Sequence, residues 1–153
     1  MQLCYYELGY NNRIGGAMIL KTPESTEDYL ETILMLSHKG TPIRSIDIVN
    51  ELVYSKPSVS IAMKKLRTNG HIDVDTNGYI TLTDSGREIA QKVYDRHMLF
   101  SDWLVFLGVD REIAVSDACK IEHGISDKSF LAIQKHIEDW KRGLYKQNPK
   151  RDN

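Results

Sequence analysis

Between Pro42 and Thr83 the sequence sets two short amphipathic helices and then two alternating segments end to end, and few folds accommodate that succession. In Pro42-Ile43-Arg44-Ser45-Ile46-Asp47-Ile48-Val49-Asn50-Glu51-Leu52, Ser45 can cap a helix whose Ile46, Val49 and Leu52 face inward. Val53-Tyr54 interrupts it. Ser55-Lys56-Pro57-Ser58 then restarts a helix, because a serine at the cap and a proline in the first turn satisfy or remove orphan N–H groups. His71 to Asp75 and Tyr79 to Leu82 alternate around Thr76-Asn77-Gly78, a strong short hairpin signal. Helix, turn, helix and hairpin together spell a winged helix-turn-helix domain, the geometry that offers its second helix to a DNA major groove.

The outward face of that second helix follows from the advance of about 100° per residue. With Val59, Ala62, Met63 and Leu66 inside, the opposite side carries Pro57, Ser60, Ile61, Lys64 and Thr68, flanked by Lys56, Ser58, Lys65 and Arg67, with Ser55 at the cap. From Lys56 to Arg67 there are 4 basic residues and no acid, in a chain whose net charge is -1, so any basic surface is local. Such a face suits phosphate contact, and its small polar and apolar tips can reach base edges; a solvated helix face has the same composition. Asp73 and Asp75 make the wing less basic.

Upstream, Ser25 or Thr26 can cap a helix with Tyr29, Leu30, Ile33, Leu34 and Leu36 at helical spacing, ending at Lys39-Gly40. Asp28 and Glu31 lie three apart on it; acids in a first turn also complement the helix dipole. Residues 1–21 form an extension expected to be flexible. Translation is expected to begin naturally at Met18, since Gly15-Gly16 requires GGN-GGN codons where a purine-rich ribosome-binding site would lie.

Downstream, Thr83 or Ser85 can cap a long helix, Ser85 and Glu88 having capping-box spacing, with Ile89, Val93, Phe100, Leu104 and Leu107 on its apolar stripe and His97 beside them. Val109-Asp110 caps a helix over 111–123, Gly124 ends it, and Ser126-Asp127 caps another with Phe130, Ile133, Ile137 and Trp140 inward. Helices of this size bury too little alone, so a homodimer is expected. The predicted layout is a mainly α chain with a small β-hairpin: a winged-helix domain over 22–91, an all-α dimerisation domain over 92–145, and a polar tail over 146–153.

Asp117-Ala118-Cys119-Lys120-Ile121-Glu122-His123 carries a thiol, a carboxylate and an imidazole at i, i+3 and i+4, on one helix face. Two readings stand on these residues alone, a polar seam or half of a metal site that needs ligands from elsewhere. The 2 cysteines, Cys4 and Cys119, are too few for a disulfide framework and fit a reducing compartment. No apolar run approaches the roughly 20 residues of a membrane span and no secretory signal is present, so the chain is expected in the cytoplasm, away from membranes.

Ser25-Thr26-Glu27-Asp28-Tyr29-Leu30-Glu31, Ser55-Lys56-Pro57-Ser58-Val59-Ser60, Asn77-Gly78-Tyr79-Ile80-Thr81-Leu82-Thr83 and the 117–123 stretch resemble the diphtheria toxin repressor family of metal-dependent transcriptional regulators, nearest its short manganese transport regulator branch. The likeness runs from about Thr22 to Trp140. It implies that Asp28, Glu31, His97, Cys119, Glu122 and His123 converge on metal, and that metal fixes a dimer in the arrangement that binds operator DNA. At the position of Cys119 the manganese branch has glutamate and the iron branch cysteine, whereas the iron branch has methionine in place of Asp28. The implied ion is therefore Mn2+ or Fe2+, with Zn2+ also compatible with the thiolate.

Three departures accompany the likeness. Ser101 stands where the iron branch has an acidic ligand of a second site, Val53 stands where relatives often have glycine, and the chain ends before the additional C-terminal domain of longer members. The rival reading is a winged-helix regulator answering to an organic ligand or a protein partner. An enzyme is not expected: the helical His-Glu-x-x-His arrangement is missing, and Glu122 should point about 100° away from its neighbour His123.

Overall fold

The computed structural model describes residues 26–143. Their elements are α1 (Thr26–Ser37), α2 (Ser45–Leu52), α3 (Lys56–Thr68), β1 (Ile72–Val74), β2 (Ile80–Leu82), α4 (Asp84–Phe106), α5 (Arg111–Gly124) and α6 (Asp127–Lys141). The expectations about the extension, the start at Met18, a cap at Ser25 and the tail over 146–153 lie outside these residues. Packing divides the chain into two compact units that meet in sequence at Tyr94 and Asp95, within α4.

In the first unit α1 is buried at every position from Tyr29 to Leu36, as expected of a helix with apolar side chains on several faces. Around it Ile48, Val59, Met63, Leu66, Ile72, Ile80 and Ala90 close one apolar core. The inward face of α2 differs from the expected one: Ile48 is fully buried and Ile46 is exposed. Two residues apart on a helix is about 200°, so the two isoleucines cannot share a face, and the core takes Ile48 with partly buried Val49 and Leu52. Nor does Ser45 cap α2. Arg44 holds the cap position and the Asp47 carboxylate accepts its N–H at 2.7 Å.

Ser55 caps α3 as its sequence suggests, accepting the Ser58 N–H at 3.2 Å, with Pro57 in the first turn. Between α2 and α3, Val53 adopts φ 55° and ψ 35°, the left-handed region that glycine occupies without cost. Strand β1 pairs antiparallel with β2 in the register Ile72 to Leu82 and Val74 to Ile80. Asp75 builds the turn: its Oδ1 accepts the N–H groups of Asn77 and Tyr79, each at 2.8 Å, and Gly78 takes φ 80°. A third segment joins the hairpin through a bridge of Ile43 to Ile80, the Ile80 N–H reaching the Ile43 carbonyl at 2.8 Å.

The start of α4 is locked onto the hairpin by Thr83, whose hydroxyl donates to the Gly70 carbonyl at 2.7 Å and accepts the Gly86 N–H at 3.2 Å. Ser85 lies within the helix and its hydroxyl bonds His71 Nδ1 at 3.0 Å, so the Ser85–Glu88 capping box is not used.

The second unit is built from the rest of α4 with α5 and α6. Asp110 caps α5 by accepting the Glu112 N–H at 2.9 Å, and Ser126 caps α6 by accepting the Ser129 N–H at 3.2 Å. Phe100 is buried edge-on against Phe130 at 6.0 Å between centroids, with Ala114, Ala118 and Ile137 also buried. Leu107 and Trp140, expected inside, are exposed, as are Phe106, Ile113 and Leu131, because three helices cannot enclose this much apolar surface.

Two substitutions test these local arguments. A Cβ on Gly86 would fall 1.9 Å from the His71 carbonyl oxygen, so Gly86→Ala should destabilise the first unit by about 3 kcal/mol in a urea melt. Val53→Gly should stabilise it by about 1 kcal/mol, because the relief of left-handed strain exceeds the added freedom of the unfolded chain.

Candidate metal centre and nucleic-acid face

Helix α4 contributes His97 and helix α5 contributes Cys119, Glu122 and His123. The i, i+3, i+4 spacing on α5 puts its three groups on adjoining positions of one face. Ligand atoms of His97, Cys119 and Glu122 lie within 4.8 Å of one another. His97 and Glu122 are each 1% exposed, whereas Cys119 is half-buried. One nitrogen, one sulfur and one carboxylate oxygen from two helices form a donor set that divalent transition ions accept.

Glu122 is the centre of the polar network. Its Oε2 meets His97 Nδ1 at 2.7 Å, and its Oε1 pairs with His123 Nε2 at 3.2 Å. The two neighbours on α5 thus turn toward each other, contrary to the divergence expected from 100° per residue; both side chains are long enough to fold back across that angle. Burial works against ionisation of Glu122, but the imidazoles of His123 and His97 outweigh it and hold the carboxyl below its usual range. Oε1 is buried and faced by the His123 imidazole, and an anionic oxygen in such a place is suited to a cation. The donor set and this oxygen fit a divalent metal ion.

Two residues next to the cluster were not among the sequence-derived ligands. Ser101 is buried one turn beyond His97, and its hydroxyl lies 3.2 Å from His97 Nε2, so both imidazole nitrogens have a polar neighbour within the second unit. Arg96, also buried, donates from Nη1 to the Glu122 carbonyl at 3.1 Å and pairs through Nη2 with the Asp127 carboxylate. The family resemblance marks the position of Ser101, though not as a partner of His97, and nothing in the spacing distinguishes Arg96 from a solvated base.

Asp28 and Glu31 stand in the first unit, on α1, one turn apart on the same side. Asp28 is half-buried and Glu31 is buried, with 6% of its surface exposed. On α3, Ser55, Lys56, Pro57, Ser60, Ile61, Lys64, Lys65 and Arg67 are all exposed, and Ile61 is 71% exposed in the middle of the basic face. Ser58 is half-buried, its N–H and hydroxyl both engaged with Ser55.

The network sets an acid limit on the second unit. Because the folded carboxyl of Glu122 ionises below its unfolded value of about 4.3, its contribution to stability is present above that pH and is lost as pH falls through the folded value. Glu122→Gln should therefore flatten the acid limb of stability in the metal-free protein, read from urea midpoints between about pH 3 and pH 6. An unchanged acid limb would count against ionised Glu122.

Two family descriptions match the sequence, the iron dependent repressor N-terminal DNA binding domain over 21–79 and the iron dependent repressor metal binding and dimerisation domain over 83–148. An uncharacterised HTH-type transcriptional regulator of Methanocaldococcus jannaschii is 35% identical over 120 residues, covering 77% of this chain and 96% of the relative. The transcriptional regulator MntR of Escherichia coli is 34% identical over 117 residues, covering 74% of this chain and 76% of the relative. Among solved structures, the manganese regulator SloR superposes with a TM-score of 0.68 at 28% identity, over 77% of this chain and 55% of that one, so the chain spans about half the length of that protein. No helix among the described residues is long and apolar enough to cross a membrane. With both family domains present in order and relatives matched along most of their length, the chain belongs to the iron dependent repressors of the diphtheria toxin repressor family, in their manganese-regulator branch.

Proposed function

We propose that this protein is a cytoplasmic transcriptional repressor that binds operator DNA as a homodimer when it holds Mn2+ or Fe2+, and so controls the supply of that ion. The observation that carries the reading is the approach of the His97, Cys119 and Glu122 ligand atoms to within 4.8 Å in a chain that also bears an exposed basic recognition helix. The proposed ligands are Asp28, Glu31, His97, Cys119, Glu122 and His123; the clustered donor atoms of His97, Cys119 and Glu122 support those three, the contact of His123 with Glu122 supports the fourth, and family membership supports the two acids of α1. Bound there, the ion supplies a divalent positive centre that neutralises anionic donors and ties together the elements carrying them.

The chain's own residues do the rest. Lys56, Lys64, Lys65 and Arg67 meet phosphates and set register, while Ser55, Pro57, Ser58, Ser60 and Ile61 lie where base edges are read. Phe106, Leu107, Ile113, Leu131 and Trp140 supply apolar area for a second copy. Fixing the spacing of two recognition helices raises affinity without altering any base contact, and by linkage operator DNA raises metal affinity by the same factor. The Cys119 thiolate shifts the preference toward softer ions, against the carboxylates that favour Mn2+.

Affinity for DNA from a metal-uptake promoter, measured with and without Mn2+ and with Fe2+ or Zn2+ in its place, tests the proposal. Mn2+ or Fe2+ should raise affinity at least about 10-fold, a coupling within the usual allosteric range. Glu122→Ala and His123→Ala should abolish that rise while keeping weak, salt-sensitive binding. A metal response that survives both substitutions would refute the ligand set, and DNA affinity indifferent to every ion would refute the switch.

A further inference from the structure

Glu122 is gripped twice by consecutive residues of α4. His97 holds its side chain at 2.7 Å and Arg96 holds its backbone carbonyl at 3.1 Å. That carbonyl is among the last four of α5, which have no helical partner and carry the negative end of the helix dipole. The same guanidinium pairs with Asp127 in the first turn of α6 and lies over the Phe130 ring at 5.3 Å. One side chain therefore fixes the end of α5, the start of α6 and the α4 turn that bears His97.

The cost of this arrangement argues that it does more than fill space. Arg96 is only 6% exposed, and its Nε is buried without a hydrogen-bond partner. A guanidinium in such a place is tolerated because two anionic or partly anionic groups face it, the α5 carbonyl end and Asp127. An apolar side chain could pack α4 against α5 and α6 without an orphaned donor. It could not hold a carbonyl at a set distance and direction.

We infer that Arg96 is a positioning residue for the metal centre, aligning Glu122 and its neighbour His123 by clamping the backbone from which both project. The inference rests on the proposed ligand set, and it concerns alignment rather than ligation, since Arg96 carries no donor a cation could use. Groups that orient metal ligands commonly contribute about 10-fold to 100-fold in affinity.

The test uses the full chain, with Mn2+ alone titrated by calorimetry and Co2+ as a spectroscopic probe. Arg96→Met should lose about 10-fold to 100-fold in Mn2+ affinity while keeping its helical circular dichroism. Arg96→Lys, whose ammonium reaches one partner but not both, should recover part of the loss. At saturating Co2+ the ligand-field bands of Arg96→Met should differ from those of the wild type, a change that lowered stability alone does not produce.

Wild-type affinity and an unchanged Co2+ spectrum in Arg96→Met would overturn the inference, provided that His97→Ala loses metal. If His97→Ala also binds as the wild type does, the ligand set itself fails. Should Arg96→Met not fold, Arg96→Lys decides: an affinity reduced about 3-fold or more supports the clamp, and an unaltered affinity and Co2+ spectrum refute it.

Discussion

The Glu122 carboxylate sits 1% exposed against His97 at 2.7 Å, and an ion withdrawn from water must be answered by other polar groups or give up its charge. The answer assembled here draws on α4 and both ends of the α5–α6 connection. Of the buried polar residues in the described chain, Arg96, His97, Ser101 and Glu122 belong to this one neighbourhood. Yet the neighbourhood is not fully satisfied: Arg96 Nε lacks a hydrogen bond, and Glu122 Oε1 is met by the His123 imidazole at 3.2 Å. An unsatisfied buried donor costs about 1–3 kcal/mol, a large fraction of the margin by which a small helical unit is stable. A polar core selected only for stability would not keep it. Holding an anionic oxygen ready in a dry place is the arrangement expected of a preorganised cation site.

The two units solve different problems. The first has a continuous apolar core, and its turns are set by local chemistry, Ser55 at a cap, Asp75 in the hairpin, Thr83 at the start of α4. It can be rigid on its own terms, which a DNA-reading module requires. The second has fewer apolar residues to bury and leaves Phe106, Leu107 and Trp140 at the surface, with the Phe106 and Trp140 rings 4.6 Å apart between centroids and tilted by 53°. Aromatic surface of that kind is costly in water, and a second copy is the partner that family membership supplies.

The parts of this fold that repeat with a period or sit at a cap were legible in the sequence. The inward stripe of α3, the hairpin about Asn77-Gly78 and the capped starts of α3, α5 and α6 each follow from side chains within a few positions. Choices made by the tertiary core were not. Ile46 and Ile48 are equally apolar, and only the angle of α2 against the core selects Ile48. Ile43 joins β2 through a single bridge too short to have a period, and Val53 adopts a conformation its side chain resists because the turn demands it. In the metal centre, Cys119 and Glu122 were legible from spacing along one helix, but the pairing of His97 with Glu122 spans 25 residues and came through family resemblance. Arg96 carried no signal at all, because a buried and an exposed arginine look alike in one sequence.

Charge bears on how the α4–α5 cluster meets a cation. With Cys119 as thiolate and Glu122 ionised, His97, Cys119 and Glu122 together offer about two negative charges to a divalent ion. Ser101 stands beside His97 Nε2 with a hydroxyl, which adds no charge. It serves the imidazole instead: an amphoteric oxygen can donate to Nε2 when Nδ1 carries the proton and accept from it when Nδ1 is taken up elsewhere. A carboxylate at that position could only accept, so it would hold the proton on Nε2. The serine therefore keeps His97 oriented whichever nitrogen is protonated.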